Sequence, residues 1–210
     1  MTDQTPKELN AMNTSVPSPR RRTGTLAAFA TATVFVLSGC GVNAYDLPSE
    51  SARYTFEAET NGVKTVWEYA SAEVTKTDTP AHQPCIGDLF DNNQAACRPE
   101  PLIFLKYDLN LALDNTAEAG DTHEITVTGY YQERLSALPR VTTLKAETSF
   151  DGGKTWRPTT TKAEGKNTFT TKIKHPKRDQ APKGVALRIN ATDSEGNTVK
   201  QTMPTAYKLR

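Results

Sequence analysis

Three histidines are the side chains of this chain best suited to general acid–base chemistry or to activating a nucleophile. They are His82, His123 and His175, and none adjoins a glycine-flanked serine of the nucleophile-elbow type. A triad can still assemble from distant strands, so spacing alone does not decide the matter. The chain also has no dinucleotide fingerprint and no phosphate-binding loop. We therefore expect no catalytic residue, no enzyme activity and no cofactor.

Cys40 follows a segment with the features of an export signal. Three arginines, residues 20–22, precede 17 small or apolar residues without charge, residues 23–39. That stretch is short for a membrane-spanning helix and has the length of a signal peptide. Residues 37–40, Leu-Ser-Gly-Cys, resemble the lipobox of bacterial lipoproteins at all four positions. The resemblance implies cleavage between Gly39 and Cys40 and a diacylglyceryl thioether on the Cys40 sulfur.

Lipidation at Cys40 would place the mature chain outside the cytoplasm, on the cell membrane. Two or three acyl chains on one cysteine anchor a protein stably, whereas a single chain does not. The alternatives are a signal cleaved elsewhere and an uncleaved anchor. Translation from Met12 and twin-arginine export also stay open.

Cys85 and Cys97 form an isolated pair separated by eleven polar, turn-rich residues. Outside the cytoplasm such a pair predicts a disulfide, which would stabilise the fold by about 2–4 kcal/mol. The alternative is a metal site formed by His82, both cysteines and an aspartate. Zinc ligands usually come in close pairs, and this spacing differs from that pattern. We therefore predict the disulfide and no metal site.

Residues 149–156, Ser-Phe-Asp-Gly-Gly-Lys-Thr-Trp, match the Asp-box pattern S-x-D-x-G-x-T-W at every fixed position. In such a hairpin the aspartate accepts backbone N–H groups, a glycine supplies a positive φ and the tryptophan packs over the loop. The predicted turn residues are Ser149, Asp151, Gly153, Thr155 and Trp156. The motif also occurs in sialidase propellers, once per blade, but here it occurs once. A structural role is therefore predicted, without glycosidase activity.

A second turn, residues 193–198, lies between two apolar runs and predicts the last hairpin of a sandwich. Asp193 and Asn197 could contribute to a calcium site, but too few carboxylates cluster there.

Apolar residues alternate in short runs along the mature chain, which predicts antiparallel strands. The predicted strands are 53–59, 64–74, 102–113, 124–131, 141–150, 168–173, 185–189 and 199–207. No long segment has a 3.6-residue period, so helices should be minor. About seven short strands in about 110 residues are typical of an immunoglobulin-like or fibronectin-III-like β-sandwich. We expect an all-β fold whose core includes Trp67, Tyr69, Phe104, Trp156 and Ile189.

The strand segments 149–156, 185–193, 196–202 and 206–209 resemble the β-rich region that follows the catalytic domain in secreted subtilisin-type peptidases of actinobacteria. The similarity covers about residues 52–210 and is strongest after residue 101. The catalytic domain of those peptidases is absent, so the resemblance implies a fold and an exported context, without proteolysis.

Charge is divided unevenly along the mature chain. Residues 41–139 contain 6 basic and 16 acidic residues, whereas residues 140–210 contain 15 basic and 6 acidic residues. We interpret this asymmetry as complementarity between opposing strands. The alternative is a basic face turned toward an anionic cell-wall polymer or lipid headgroups. No basic–aromatic pattern of a nucleic-acid-binding protein is present.

These observations divide the chain into a lipoprotein signal peptide (1–39), a lipidated tether (40–51), a β region with the cysteine loop (52–100) and an immunoglobulin-like β-sandwich (101–210). We expect a non-catalytic binding module at the cell envelope, with the membrane and a protein or a cell-wall polymer as its partners. One alternative is an accessory subunit of a secreted peptidase or cell-wall enzyme. A weaker alternative is a carbohydrate-binding module presenting Tyr130, Tyr131 and Tyr207.

Overall fold

A computed structural model describes residues 47–75, 96–133, 135 and 137–210, and this part of the chain is almost entirely β-strand. The strands are β1 (Ala52–Thr60), β2 (Val63–Ser71), β3 (Phe104–Asp108), β4 (Thr116–Ala117), β5 (Thr122–Tyr130), β6 (Val141–Ser149), β7 (Arg157–Pro158), β8 (Thr160–Gly165), β9 (Thr168–Lys174), β10 (Val185–Asp193) and β11 (Thr198–Leu209). A single 3₁₀ turn, Arg178–Gln180, precedes β10 within these residues. None of the described residues forms a helix with the length and apolar character to cross a bilayer.

Two sheets pack face to face. The larger has the order β1-β2-β11-β10-β6-β7, with β4 added in parallel to the end of β11. The smaller has the order β3-β5-β9-β8, and its strands pair antiparallel. The chain moves between the sheets rather than folding each in turn, as in an immunoglobulin-like sandwich. The predicted all-β sandwich is confirmed.

The core lies between the sheets because one face of each central strand is apolar. Along β10 the side chains of Val185, Leu187, Ile189 and Ala191 are buried, and along β5 those of Ile125 and Val127 face them. Burying every second residue leaves the other face polar, which gives these strands their two-residue period.

The β1–β2 hairpin widens the larger sheet beyond the sandwich. Val199 of β11 pairs with Trp67, and Trp67 pairs with Phe56 of β1. The buried Trp67 ring stacks on Phe56, with centroids 5.4 Å apart, and its Nε1 donates to the Ile103 carbonyl at 2.7 Å. The same ring approaches Phe104 at 6.1 Å. Aromatic packing therefore joins the hairpin to the start of the smaller sheet.

The prediction of one strand over residues 102–113 is wrong in its second half. The strand ends at Asp108, whose carboxylate accepts the Asn110 N–H at 3.1 Å, and Asn110 has a φ of 47°. Leu113 is fully exposed. The alternation of leucines from 109 to 113 therefore belongs to a loop. The polar strand β8 and the two-residue strands β4 and β7 were not predicted, because their residues carry no apolar alternation.

The strand directions place the loops at two ends. The entry pole contains the start of β1, the described residues between β5 and β6, and the 193–197 turn. The far pole contains the 109–121 loop, the Asp-box turn 150–156 and the 175–184 segment. β6 runs from one pole to the other over nine residues. At about 3.4 Å per residue, the poles are therefore roughly 27 Å apart.

Candidate binding surface

A groove of about 430 Å³ opens at the far pole between the two sheets. β7 contributes Arg157, and β9 contributes Lys172 and Lys174, all three of them exposed. The buried Thr148 and the exposed Thr160 also line the groove. The remaining lining residues are apolar or neutral: Phe150, Pro158, Thr159, His175 and Pro176. No carboxylate lines the groove among the described residues, so its lining attracts anions.

Ion pairing among the described residues neutralises little of the positive charge in the groove. Among the described residues, Arg157 and Lys174 take part in no ion pair, and Lys172 meets Glu124 at 3.7 Å. Both side chains of that pair are more than half exposed, so water and salt weaken their attraction. The groove therefore keeps most of its positive charge.

The Asp-box turn forms the rim beside the groove. The Asp151 carboxylate accepts the N–H groups of Lys154 and Thr155 at 2.9 and 3.0 Å and the Thr155 hydroxyl at 2.6 Å. Ser149 Oγ donates to Asp151 at 2.7 Å and accepts the Gly153 N–H at 2.8 Å. These bonds, the Thr155 hydroxyl above all, hold the pKa of the Asp151 carboxyl well below its usual range. The turn is thereby closed by its own side chains.

Glycine is required in this turn for two reasons. Gly152 has a φ of 77°, and a Cβ there would come within 2.7 Å of the Lys183 side chain. Gly153 has a φ of 85°, and its Cβ position lies 3.6 Å from the Trp156 ring. The Trp156 ring thus lies over the turn, as the motif implies, and Lys183 lies against the other side.

Trp156 does not belong to the core, so that prediction is wrong. Its ring lies half-exposed beneath the Arg188 guanidinium, 3.9 Å from the ring centroid, and Arg188 pairs with Glu147 at 3.3 Å. The side chains of Arg188 and Glu147 point to the outer face of the larger sheet, away from Ile189, which is why Trp156 is directed there as well. Of the other predicted core residues, Trp67 and Ile189 are buried, whereas Tyr69 and Phe104 are half-buried against the core.

His123 and His175 stack at the far pole, with ring centroids 5.1 Å apart. His175 Nδ1 is 2.8 Å from the Glu118 carbonyl, and its Nε2 is 2.8 Å from the Tyr207 hydroxyl. The carbonyl requires a proton on Nδ1, so the Tyr207 O–H donates to Nε2 in the neutral ring. His123 Nε2 contacts the Leu109 carbonyl at 2.8 Å. These bonds support the fold and leave the three nitrogens engaged.

The 193–197 turn at the entry pole uses its oxygens internally. Asp193 accepts the N–H groups of Glu195 and Asn197 at 2.9 and 2.8 Å, the Asn197 side-chain amide at 2.8 Å and the Tyr131 hydroxyl at 3.1 Å. Asn197 Oδ1 accepts the Ala70 N–H at 3.1 Å. These contacts are structural, and no group of three metal-ligating side chains is present among the described residues.

The three tyrosines proposed for carbohydrate stacking do not form an exposed row. Tyr130 is 49% exposed, but Tyr131 and Tyr207 are only 7% and 3% exposed. Their hydroxyls bind Asp193 and His175, respectively. Burial raises the pKa of both phenols. Two of the three rings are therefore unavailable to a sugar.

Several predicted site residues lie outside the described residues: Gly39, Cys40, Cys85 and His82. Cys97 is half-buried in the segment that leads to β3. The Cys85–Cys97 disulfide therefore stays a prediction.

The groove was not predicted, although its charge was visible in the sequence. The excess of basic residues after residue 140 indicated a basic face. Arg157 lies 15 residues before Lys172, and nothing in that spacing indicates that β7 and the end of β9 flank one cleft.

Comparison with known proteins gives no relative for this chain: no family model matches it, and neither a curated protein nor a solved structure is significantly similar to it.

Proposed function

We propose that this chain is a lipoprotein anchored outside the cytoplasm through Cys40, whose β-sandwich is a non-catalytic binding module of the cell envelope. The observation that carries the proposal is the separation of the two poles. The chain enters β1 at one pole, where Arg53 Nη2 donates to the Gly196 carbonyl at 3.0 Å. The basic groove opens at the other pole.

The length of the tether limits how far the module can lie from the membrane. Residues 41–51 are eleven residues and span at most about 35–40 Å when extended. This reach keeps the module close to the bilayer, and the tether joins it at the pole opposite to Arg157, Lys172 and Lys174. A binding surface at the far pole would be distant from the attachment point of the tether.

The bonding of His175 supports a structural role for this histidine rather than a catalytic one. His175 is buried, and both of its nitrogens are held by Glu118 and Tyr207. Burial lowers the pKa of His175, which keeps the ring neutral. A general base needs a nitrogen directed at substrate, and these nitrogens are directed at the protein.

Labelling of exposed lysines in intact spheroplasts tests whether the far pole lies outside the cytoplasm. A membrane-impermeant amine reagent should modify Lys174 and Lys177 before the cells are lysed, because both side chains are exposed at the far pole. An abundant cytoplasmic protein in the same sample should stay unmodified until lysis. Modification of Lys174 and Lys177 only after lysis would place the module inside the cell and contradict the proposal.

A further inference from the structure

Two of the three cations that line the far-pole groove take no part in the ion pairs of the described residues. Arg210 and Arg188, near the same pole, are paired with Glu118 and Glu147 at 2.7 and 3.3 Å. In the described residues no carboxylate pairs with Arg157 or Lys174, although both lie within one cleft. Cations gathered without internal partners are the usual electrostatic feature of an anion-binding surface.

The three cations come from two strands, with Arg157 on β7 and Lys172 and Lys174 on β9. Lys172 and Lys174 project from the same face of β9, and residues two apart in a strand are separated by about 7 Å. Arg157, on β7 at the edge of the larger sheet, borders the same groove. A single small anion would contact one or two of these groups, whereas a chain with repeated negative charges can contact all three.

The chemistry of the groove wall favours phosphate groups. The charged side chains that line the groove are all donors: a guanidinium and two ammonium groups. A guanidinium presents a planar pair of donors that fits a phosphate in bidentate fashion. A phosphodiester keeps its full charge across the physiological range and offers oxygens only as acceptors, which matches a wall rich in donors.

The same wall is poorly suited to a peptide strand. Peptides are commonly captured along a sheet edge by main-chain hydrogen bonds. Pro158 lies in β7, and Pro176 follows His175 in the opposite wall; neither has an N–H to donate. An acidic peptide would therefore rely on side-chain charge alone in this groove.

We infer that the far-pole groove binds a linear polymer with phosphodiester groups along its chain, held by Arg157, Lys172 and Lys174. The inference rests on the proposed function for its setting, since the proposed anchor would place the groove in the cell envelope, at the pole opposite to the tether. Anionic lipid headgroups are the competing source of phosphate, and the vesicle arm of the test distinguishes them.

Binding of the full chain, purified in mild detergent, to a poly(glycerol phosphate) probe tests the inference. The double variant Arg157→Gln and Lys174→Gln should bind about tenfold more weakly or worse, and its affinity should depend less on salt. The matched control is Lys145→Gln with Lys200→Gln, which removes the same charge from the outer face of the larger sheet. This control should bind like the wild type.

Three results would overturn the inference. Equal weakening by the control variant would show that net charge, rather than the groove, governs binding. Equal affinity for polyglutamate of matched charge would assign the groove to acidic peptides. Binding only to vesicles rich in anionic phospholipid would assign it to the membrane. Because the assay uses purified protein, it can succeed even if the proposed anchoring at Cys40 fails, so the two failures are distinguishable.

Discussion

At the scale of the residue, His175 is a titratable group whose neutral form is stabilised by the fold. It is buried, stacked on His123 and hydrogen-bonded through both nitrogens. Burial lowers its pKa, the nearby His123 acts in the same direction, and the Glu118 carbonyl and Asp121 oppose them. The ring is therefore a neutral structural group that the protein must leave unprotonated.

We predict that protonation of His175 makes the fold sensitive to mild acid. The unfolded chain binds a proton near pH 6.5, whereas the folded chain does so only at lower pH, so stability is lost as pH falls below about 6.5. The free energy of unfolding in urea should fall by at most about 1.4 kcal/mol per pH unit in that window.

The variant His175→Gln tests this assignment, because glutamine can bond to Glu118 and Tyr207 without titrating. Its unfolding free energy should be nearly flat between about pH 7 and about pH 5.5. The same slope in wild type and variant would mean that another group carries the pH dependence.

At this scale, the sequence predicts side-chain geometry where the hydrogen bonds are local in the chain. Each Asp-box hydrogen bond joins residues at most four positions apart, such as Ser149 with Asp151 and Thr155 with Asp151. A short sequence motif therefore specifies the whole turn. The bond from Tyr207 to His175 spans 32 residues and depends on how the sheets face each other. Spacing cannot indicate such a contact before the topology is known.

At the scale of the element, the β1–β2 hairpin depends on a few buried polar contacts as well as on Trp67. Asn197 is buried and links two elements: its Oδ1 accepts the Ala70 N–H of β2, and its amide donates to Asp193. Gln201 of β11 donates to Thr65 of β2 at 2.8 Å and accepts the Tyr107 hydroxyl at 2.8 Å. The hairpin is thereby fixed to β11 at both ends of their pairing.

Replacement of Asn197 by alanine should loosen the hairpin selectively. The change leaves the Ala70 N–H without its partner and removes one of the two donors to Asp193 Oδ2, which keeps the Tyr131 hydroxyl, at a cost of about 1–3 kcal/mol. Amide hydrogen exchange should accelerate in residues 52–71 more than in β10.

The control for this variant is Glu195→Gln, an exposed change in the same turn that should alter stability by less than about 0.5 kcal/mol. Unchanged protection of residues 52–71 in the Asn197→Ala variant would show that Asn197 does not fix the hairpin.

Strands were predictable where one face is apolar and not elsewhere. β5 and β10 alternate because the core covers one of their faces. β8 is a polar strand at the edge of the smaller sheet, and its residues lie mostly in solvent. Strand β8 forms because it pairs with β9, and the composition of β8 alone does not indicate that pairing.

At the scale of the whole molecule, the division of charge between the two halves of the chain is only partly internal. Of the five ion pairs among the described residues, Lys172–Glu124 and Arg210–Glu118 join the basic half to the acidic half. Opposing strands therefore neutralise few of the 15 cations in residues 140–210. Three cations of this excess line the groove at the far pole.

Mass spectrometry of the N-terminal peptide from isolated cell envelopes is the most direct test of the proposed anchor. The expected result is a chain that begins at Cys40, lacks residues 1–39 and carries a diacylglyceryl group on the Cys40 sulfur. An unmodified Cys40 thiol in a chain recovered from the cytosol would contradict it, and with it the proposed location of the groove in the cell envelope.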